Sequence, residues 1–426
     1  MFIHVVKPGE SLYSISRIYN TTPSEIAADN EIKNPDRMVI GQALVIAKEF
    51  IRHTVTVGES LYQISRRYNV PVSEILRRNP QITDPGVIYS GQVIIIPSQT
   101  RKAGTIEVNG YAFPNIDQTV LKKTLPYLTY LSIFSYEVKQ DGSLTSINDE
   151  ALISAAEEAN VAPMMVITNI EPGKGFSSDI ARAVLTNQDI QDKMIGNIME
   201  VIKTKGYYGL DIDFEYVYPE DREAYNSFLG KISTILHNAG YILTTALAPK
   251  ISAEQRGVLY EAHDYSAHGR TADHVILMTY EWGYTFGPPM AVAPINEVRK
   301  VLNYAITEIL PKKILMGIPN YGYDWTLPYE RGTRAQTISN TGAVDLAANV
   351  GAIIQYDPKS QAPYFYYYDR DGKQHVVWFE DARSIMAKLM LVRGFNLGGV
   401  SYWTIGKYFP QNWLVLQSMY DVRKLL

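Results

Sequence analysis

From residue 105 onward, short apolar, β-prone runs alternate with stretches whose apolar residues recur at helical spacing. The β-prone runs are 105–113, 128–135, 163–169, 207–215, 242–248, 274–281, 314–320 and 398–404, and helical patterns occupy 119–126, 149–160, 190–205, 220–239 and 293–308. Strands that alternate with helices predict a parallel sheet, and eight of them over ~320 residues predict an α/β chain closed as a (β/α)8 barrel. The gap between the last two runs is long. It holds an apolar run at 352–357 and then 364–378, which reads as a hairpin turning at Asp371-Gly372. These segments predict a small α+β insertion between strands seven and eight, either walling the cleft or packing on the barrel.

The first hundred residues carry a different pattern, and it occurs twice. Residues 4–20 (HVVKPGESLYSISRIYN) match 53–69 (HTVTVGESLYQISRRYN), and the match continues through Ser24-Glu25-Ile26 against Ser73-Glu74-Ile75 and Asn30 against Asn79. With one residue more of offset, Ile40-Gly41-Gln42 matches Ser90-Gly91-Gln92. Each copy reads strand, helix, helix, strand: Ser11 or Ser60 is placed as an N-cap, and Leu12, Ile15, Ile18 and Tyr19 form a helical stripe. A unit this small can just close a core if two helices cover a two-stranded sheet.

Both copies resemble the LysM module along their whole length, through the Gly-Glu-Ser-Leu-Tyr-x-Ile-Ser start, the mid-copy Asn and the late Gly-Gln. The resemblance implies binding of glycans that contain N-acetylglucosamine, in a groove between the loop after the first strand and the loop before the second. It places Gly9, Glu10, Ser11 and Ile40 in one groove and Gly58, Glu59, Ser60 and Ser90 in the other. A module that joins the chain to another protein is the alternative. The expected boundaries are 1–48 and 51–98 for the modules, 99–104 for a polar linker and 105–426 for the barrel.

The fourth run, Tyr207-Tyr-Gly-Leu-Asp-Ile-Asp-Phe-Glu215, places Asp211, Asp213 and Glu215 two residues apart. In a strand these three share one face and Leu210, Ile212 and Phe214 the other. Stacked acids in an interior repel one another and lose solvation, so one of them should keep a proton near neutral pH. Active sites of such barrels lie at the C-terminal ends of the strands, which puts Glu215 at the mouth. A proton-holding Glu there suits general-acid cleavage of a glycosidic bond. A magnesium or calcium site, or a polar network in the barrel core, is the other reading of three acids.

Leu210-Asp-Ile-Asp-Phe-Glu215 resembles the Asp-x-x-Asp-x-Asp-x-Glu signature of glycoside hydrolase family 18, with Tyr208 in place of the first Asp. Met278-Thr279-Tyr280-Glu281 is similar to the family's Met-x-Tyr-Asp, with Glu for Asp, and Tyr402-Trp403 stands where the family has an aromatic. The family's Ser-x-Gly-Gly is not evident; Ile167-Thr168-Asn169 occupies that place. The resemblance implies substrate-assisted hydrolysis. Glu215 would be the acid and then the base, Asp213 and Tyr280 would hold the 2-acetamido group, and Asp211 would tune Asp213. Trp403 would floor the sugar pocket, with Glu281, Met278 and Asn169 as further substrate contacts. The whole chain resembles the spore-cortex-lytic N-acetylglucosaminidases of endospore-forming bacteria. That implies cortex peptidoglycan as substrate and a spore location after synthesis in the mother cell, for which no secretory signal is expected. A chitinase and a non-catalytic glycan-binding barrel are the rival functions.

Composition narrows the rest. The chain has 426 residues, 46% hydrophobic and 20% charged, with a net charge of −4, which gives no reason to expect nucleic acid or an anionic membrane as partner. Cysteine is absent, which removes disulfides and thiolate chemistry, and the seven histidines show no His-x-x-x-His helix that would argue for zinc. No run approaches the length of a membrane span. No metal or cofactor is expected, and the protein is expected to act as a monomer.

Overall fold

The computed structural model describes residues 1–98 and 102–426; within the expected linker, 99–101 lie outside the described residues. The chain forms two compact units. One comprises Met1–Gly104, Gly322–Ala387 and Phe409–Asp421, and the other Thr105–Tyr321, Lys388–Tyr408 and Val422–Leu426.

The second unit is the barrel. Its strands are Thr105–Ala112, Tyr130–Glu137, Ala162–Thr168, Gly209–Asp213, Ile242–Leu247, His274–Leu277, Ile314–Pro319 and Gly399–Trp403. Each is hydrogen-bonded to the next, and the eighth pairs in parallel with the first from Gly399↔Glu107 to Tyr402↔Gly110, which closes the cylinder. The strand side chains bury on both faces. Leu210 and Ile212 face the surrounding helices, while Tyr111, Phe134, Val166, Ala246, Ile276 and Leu315 form one apolar cluster inside. A packed interior of alternating strand residues leaves only the strand ends free for chemistry.

Two strands stop earlier than their hydrophobic runs. The fourth ends at Asp213, its last ladder partner being Thr168, so Glu215 lies past the sheet. The sixth ends at Leu277, so Met278 to Glu281 belong to the loop above it, and Glu281 has a φ of 66°. A run of apolar residues cannot tell a strand from the buried loop that continues it. The difference lies in which groups satisfy the backbone.

In the first unit each repeat folds as predicted. The first has strands Phe2–Val5 and Ala43–Ile46 around helices Leu12–Tyr19 and Pro23–Asp29; the second has Phe50–Thr54 and Val93–Pro97 around Leu61–Tyr68 and Val72–Arg78. Ser11 and Ser60 are N-caps, each in a capping box with the residue three positions on. The repeated asparagine is structural. Asn30 is buried, its amide donates to the Ile26 and Val45 carbonyls at 2.9 and 2.8 Å, and its oxygen accepts from the Val45 amide at 2.8 Å. Asn79 does the same with Ile75 and Ile95. Each Asn therefore bolts a helix end to the closing strand.

The two repeats do not close separate cores. Ile15 and Leu44 of the first share one buried cluster with Ile64 and Ile94 of the second, and the rings of Tyr19 and Tyr68 meet edge-on with centroids 6.0 Å apart. Pooling two small cores is a direct remedy for the surface-to-volume deficit of a unit this size.

The insertion is larger than the hairpin read from the sequence. The expected hairpin is present as Ala362–Tyr368 and Gln374–Trp378, with Gly372 at a φ of 77° in the turn. It sits in a five-stranded antiparallel sheet completed by Gly322–Leu327, Gln336–Ile338 and Gln355–Asp357, with a helix at Asn340–Val350. The strand at Gly322–Leu327 was missed because it follows the seventh barrel strand after only two residues.

Candidate active site

Asp211, Asp213 and Glu215 rise in order along the fourth strand and past its end, and the structure brings Tyr280, Glu281 and Trp403 to the same end of the barrel. Asp211 is fully buried. Its two oxygens accept hydrogen bonds from the Tyr111 hydroxyl of the first strand and the Thr244 hydroxyl of the fifth, both at 2.6 Å. Burial pushes its carboxyl up to about 6, and the two hydroxyls pull back toward the ionised form. Asp213 is also buried, and its Oδ1 has no hydrogen-bond partner. Burial first, then the charges of Glu215 and Asp211, raise it well above the usual carboxylate range. Glu215, partly exposed, is pushed up to about 7, first by burial and then by the charge of Glu281. Asp213 and Glu215 thus act as a pair that retains a proton at neutral pH.

The backbone around Glu215 is held from two sides. Asn169, at the end of the third strand, accepts from the Glu215 amide at 2.9 Å and donates to its carbonyl at 2.7 Å and to the Ser177 carbonyl at 3.0 Å. Both side-chain polar atoms of Asn169, which the sequence reading expected to meet substrate, are engaged in these bonds, and the residue is fully buried. On the other side, His263 Nδ1 accepts from the Ala248 amide at 2.8 Å, so its Nε2 carries the proton and donates to the Phe214 carbonyl at 2.9 Å. Burial lowers this histidine to about 4 and keeps it neutral.

Trp403 packs edge-on against Phe134, Tyr111 and Phe113 with centroids 4.8, 5.3 and 5.9 Å away, leaving it partly exposed at the barrel mouth. Met278 is half-buried against the interior cluster. Glu281 is exposed and accepts a hydrogen bond from the Tyr321 hydroxyl. Tyr280 is nearly buried. Room for its ring comes from Gly317 on the seventh strand, where a Cβ would lie 2.8 Å from the ring and 2.4 Å from the Leu277 carbonyl. Tyr208, at the place of the family's first Asp, is at the opposite end of the barrel, packed with Tyr130, Met164 and Ile242.

Tyr111, Thr244, His263 and Tyr321 were not found from the sequence. Tyr111 is 100 positions from Asp211 and Thr244 is 33 away, and no local spacing encodes such a pairing.

Among the described residues, no group of three or more His, Cys, Asp and Glu is placed to hold a metal ion. Both oxygens of Asp211 are already engaged by hydroxyl donors, which does not suit a hard-cation ligand.

In the paired repeats, several expected groove residues serve the fold. Glu10 accepts from His4 and from the Lys7 amide, both at 2.8 Å, and Glu59 accepts from His53 at 2.9 Å and the Thr56 amide at 2.7 Å. The hydroxyls of Ser11 and Ser60 cap their helices. Gly9 and Gly58 have φ of 79° and 81°, which the tight first loop requires. Ser90 is exposed, whereas the Ile40 carbonyl accepts the Ile354 amide at 2.9 Å, so the counterpart of the Ser90 loop in the first repeat is covered by the insertion.

The model of glycosyl hydrolases family 18 matches residues 105–407, and the LysM model matches 4–47 and 53–97. The chain belongs to glycosyl hydrolases family 18. It is a glycoside hydrolase that carries two LysM modules. It is 46% identical to the cortical fragment-lytic enzyme of Bacillus subtilis (strain 168), across 100% of this chain and 99% of that protein. Among solved structures it resembles the spore cortex-lytic enzyme SleL of Bacillus megaterium QM B1551, with a TM-score of 0.88 and 41% identity over 100% and 99% of the two chains. A chitinase of Chromobacterium violaceum ATCC 12472 matches 74% of this chain and 98% of its own, with a TM-score of 0.68 and 25% identity. The family-18 match covers the barrel strands and the carboxylate stack together.

Proposed function

We propose that this family-18 enzyme is a spore-associated N-acetylglucosaminidase that hydrolyses cortex peptidoglycan or its fragments during germination, by a substrate-assisted retaining route. The observation that carries the mechanism is the carboxylate pair at the barrel mouth. Glu215 titrates near 7, and Asp213 beside it has a buried oxygen with no partner. A 2-acetamido N–H is a donor of the right kind for that oxygen. Once bonded, it favours the ionised form of Asp213 and leaves the shared proton on Glu215. Glu215 then protonates the leaving oxygen while the acetamido carbonyl attacks the anomeric carbon. Asp213 steadies the charge that grows on the acetamido nitrogen, and Tyr280 holds the same group from the other side. Asp211, kept in place by Tyr111 and Thr244, sets the field beneath Asp213. Trp403 offers a ring face to the sugar. In the second half, Glu215 takes a proton from water as the oxazolinium opens. The named relatives, cortical fragment-lytic and spore cortex-lytic enzymes matched end to end, support cortex as the substrate and the spore as the location.

Glu215→Gln preserves shape and removes the acid. It is expected to lower kcat on cortex fragments by about 10³-fold, within the range for general acids; turnover near the wild-type rate would overturn the mechanism. Offering chitin oligomers beside cortex muropeptides tests the substrate, and a preference for chitin would replace this reading with a chitinase. Mass spectrometry of the reducing ends in one defined cortex digest identifies the bond that is cut.

A further inference from the structure

The two LysM modules are alike in sequence, and their first loops are alike in exposure. Pro8 and its counterpart Val57 are both exposed, as are Tyr13 and Tyr62 just beyond. The second loops differ. In the first module Val39 is buried in a cluster with Ala343, Ala347, Phe365, Val377 and Phe379 of the insertion. The Ile354 amide donates to the Ile40 carbonyl at 2.9 Å, and an Arg383 guanidinium donates to the Gly41 carbonyl at 3.2 Å. A Cβ on Gly41 would lie 1.9 Å from the Ile354 carbonyl oxygen, so at this point the two backbones are in direct contact. Among the described residues, the second module has nothing comparable. Gly91, the counterpart of Gly41, has no atom within 4 Å of a Cβ built on it, and Tyr89, the counterpart of Val39, is 70% exposed.

We infer that the modules have divided their work: the second is the glycan-binding module, and the first has given its second loop to holding the insertion. The inference rests on the reading of LysM as a glycan module and says which copy acts. The chemistry of the loops agrees with the geometry. A sugar that contains N-acetylglucosamine needs an apolar ring face for its C–H groups and accessible backbone polar groups for its acetamido group. Tyr89 presents an exposed ring, and the carbonyls of Ser90 and Gly91, counterparts of the two taken in the first module, lie in an exposed loop. In the first module the ring is replaced by a buried valine, and the carbonyls of Ile40 and Gly41 are already occupied. The cleft that remains beside that loop, about 300 Å³, is walled by Met38, Ala347, Ala348 and Ile353, with Arg37 as its charged residue and no aromatic ring.

The test uses the full chain in a Glu215→Gln background, so that glycan is retained uncut. Retention on chitin beads and on insoluble peptidoglycan is compared for Pro8→Asp, for Val57→Asp with Tyr89→Ala, and for all three substitutions together. All sites are exposed, and unchanged thermal melts show that the fold is intact. The second-module pair is expected to lower retention tenfold or more, and Pro8→Asp less than twofold. Equal losses, or a larger loss from Pro8→Asp, overturn the division of work while leaving LysM glycan binding in place. Retention of the triple variant at the wild-type level overturns the glycan reading itself. Hydrogen exchange gives an independent check: chitohexaose should protect amides of 56–60 and 88–92 and leave 39–42 unchanged. Protection of 39–42 would overturn the inference.

Discussion

Glu215 is held by its backbone, which frees its side chain to carry a proton. Its carboxyl titrates near 7 in the fold against an ordinary value of 4.5. Between those values the folded chain binds the proton more tightly than the unfolded one. Burying Glu215 therefore costs nothing at pH 4 and destabilises progressively as pH rises through about 7. Glu215→Gln should match the wild type in thermal melts at pH 4. At pH 8 it should be more stable, by about 2 kcal/mol given that the group is partly exposed. Activity should follow the same group, with kcat/KM, which reports the free enzyme, falling as pH rises through about 7 in a pH–rate profile. Asn169→Ala removes the clamp on Glu215, and Tyr111→Phe removes a donor to Asp211. For each, a roughly tenfold or greater drop in kcat with little change in KM is expected if it acts through the carboxylate it holds, since its polar atoms are engaged within the fold. For Tyr111→Phe the pH–rate profile should shift as well, because the lost hydroxyl no longer favours the Asp211 carboxylate.

At the scale of elements, the fourth strand was legible because a period of two is written in consecutive residues. Asp211 and Asp213 share a face by geometry alone. What that period could not show is where the ladder stops: the sheet releases the chain after Asp213, and Asn169, 46 positions away from Glu215, takes over. Gly317 is a second case of an element shaped by its neighbour. Gly317→Ala would press on the Tyr280 ring and the Leu277 carbonyl. The expected cost is about 1–3 kcal/mol of stability, as for other overpacked interiors, together with a lower kcat from displacement of Tyr280. Calorimetry and steady-state kinetics on one preparation check both. The LysM helices were equally legible, since their caps and stripes are local. Their pooled core was not, because each copy alone reads as a complete unit. Tyr68→Ala, which removes the ring that meets Tyr19, should therefore weaken amide protection in both modules together and not in one.

For the whole molecule, the proposed function gives the modules and the carboxylate stack different steps. Variants in the second module's loops should reduce action on insoluble cortex far more than turnover of soluble fragments, because tethering raises local substrate concentration without changing the active site. Equal losses on both would count against tethering. Removing residues 1–97 is a poorer test, because it would also uncover the apolar surface of the insertion that Val39 covers. The sequence by itself determined the two repeats, the eight alternating strands and the line of three acids. Each of these is written in neighbouring residues, through periodicity, capping and turn chemistry. Only the tertiary structure decided which hydroxyls steady Asp211, what holds Glu215, and which LysM loop stays open. Those choices depend on residues far apart in the chain that burial brings together, where an unmet hydrogen bond costs enough to select one arrangement.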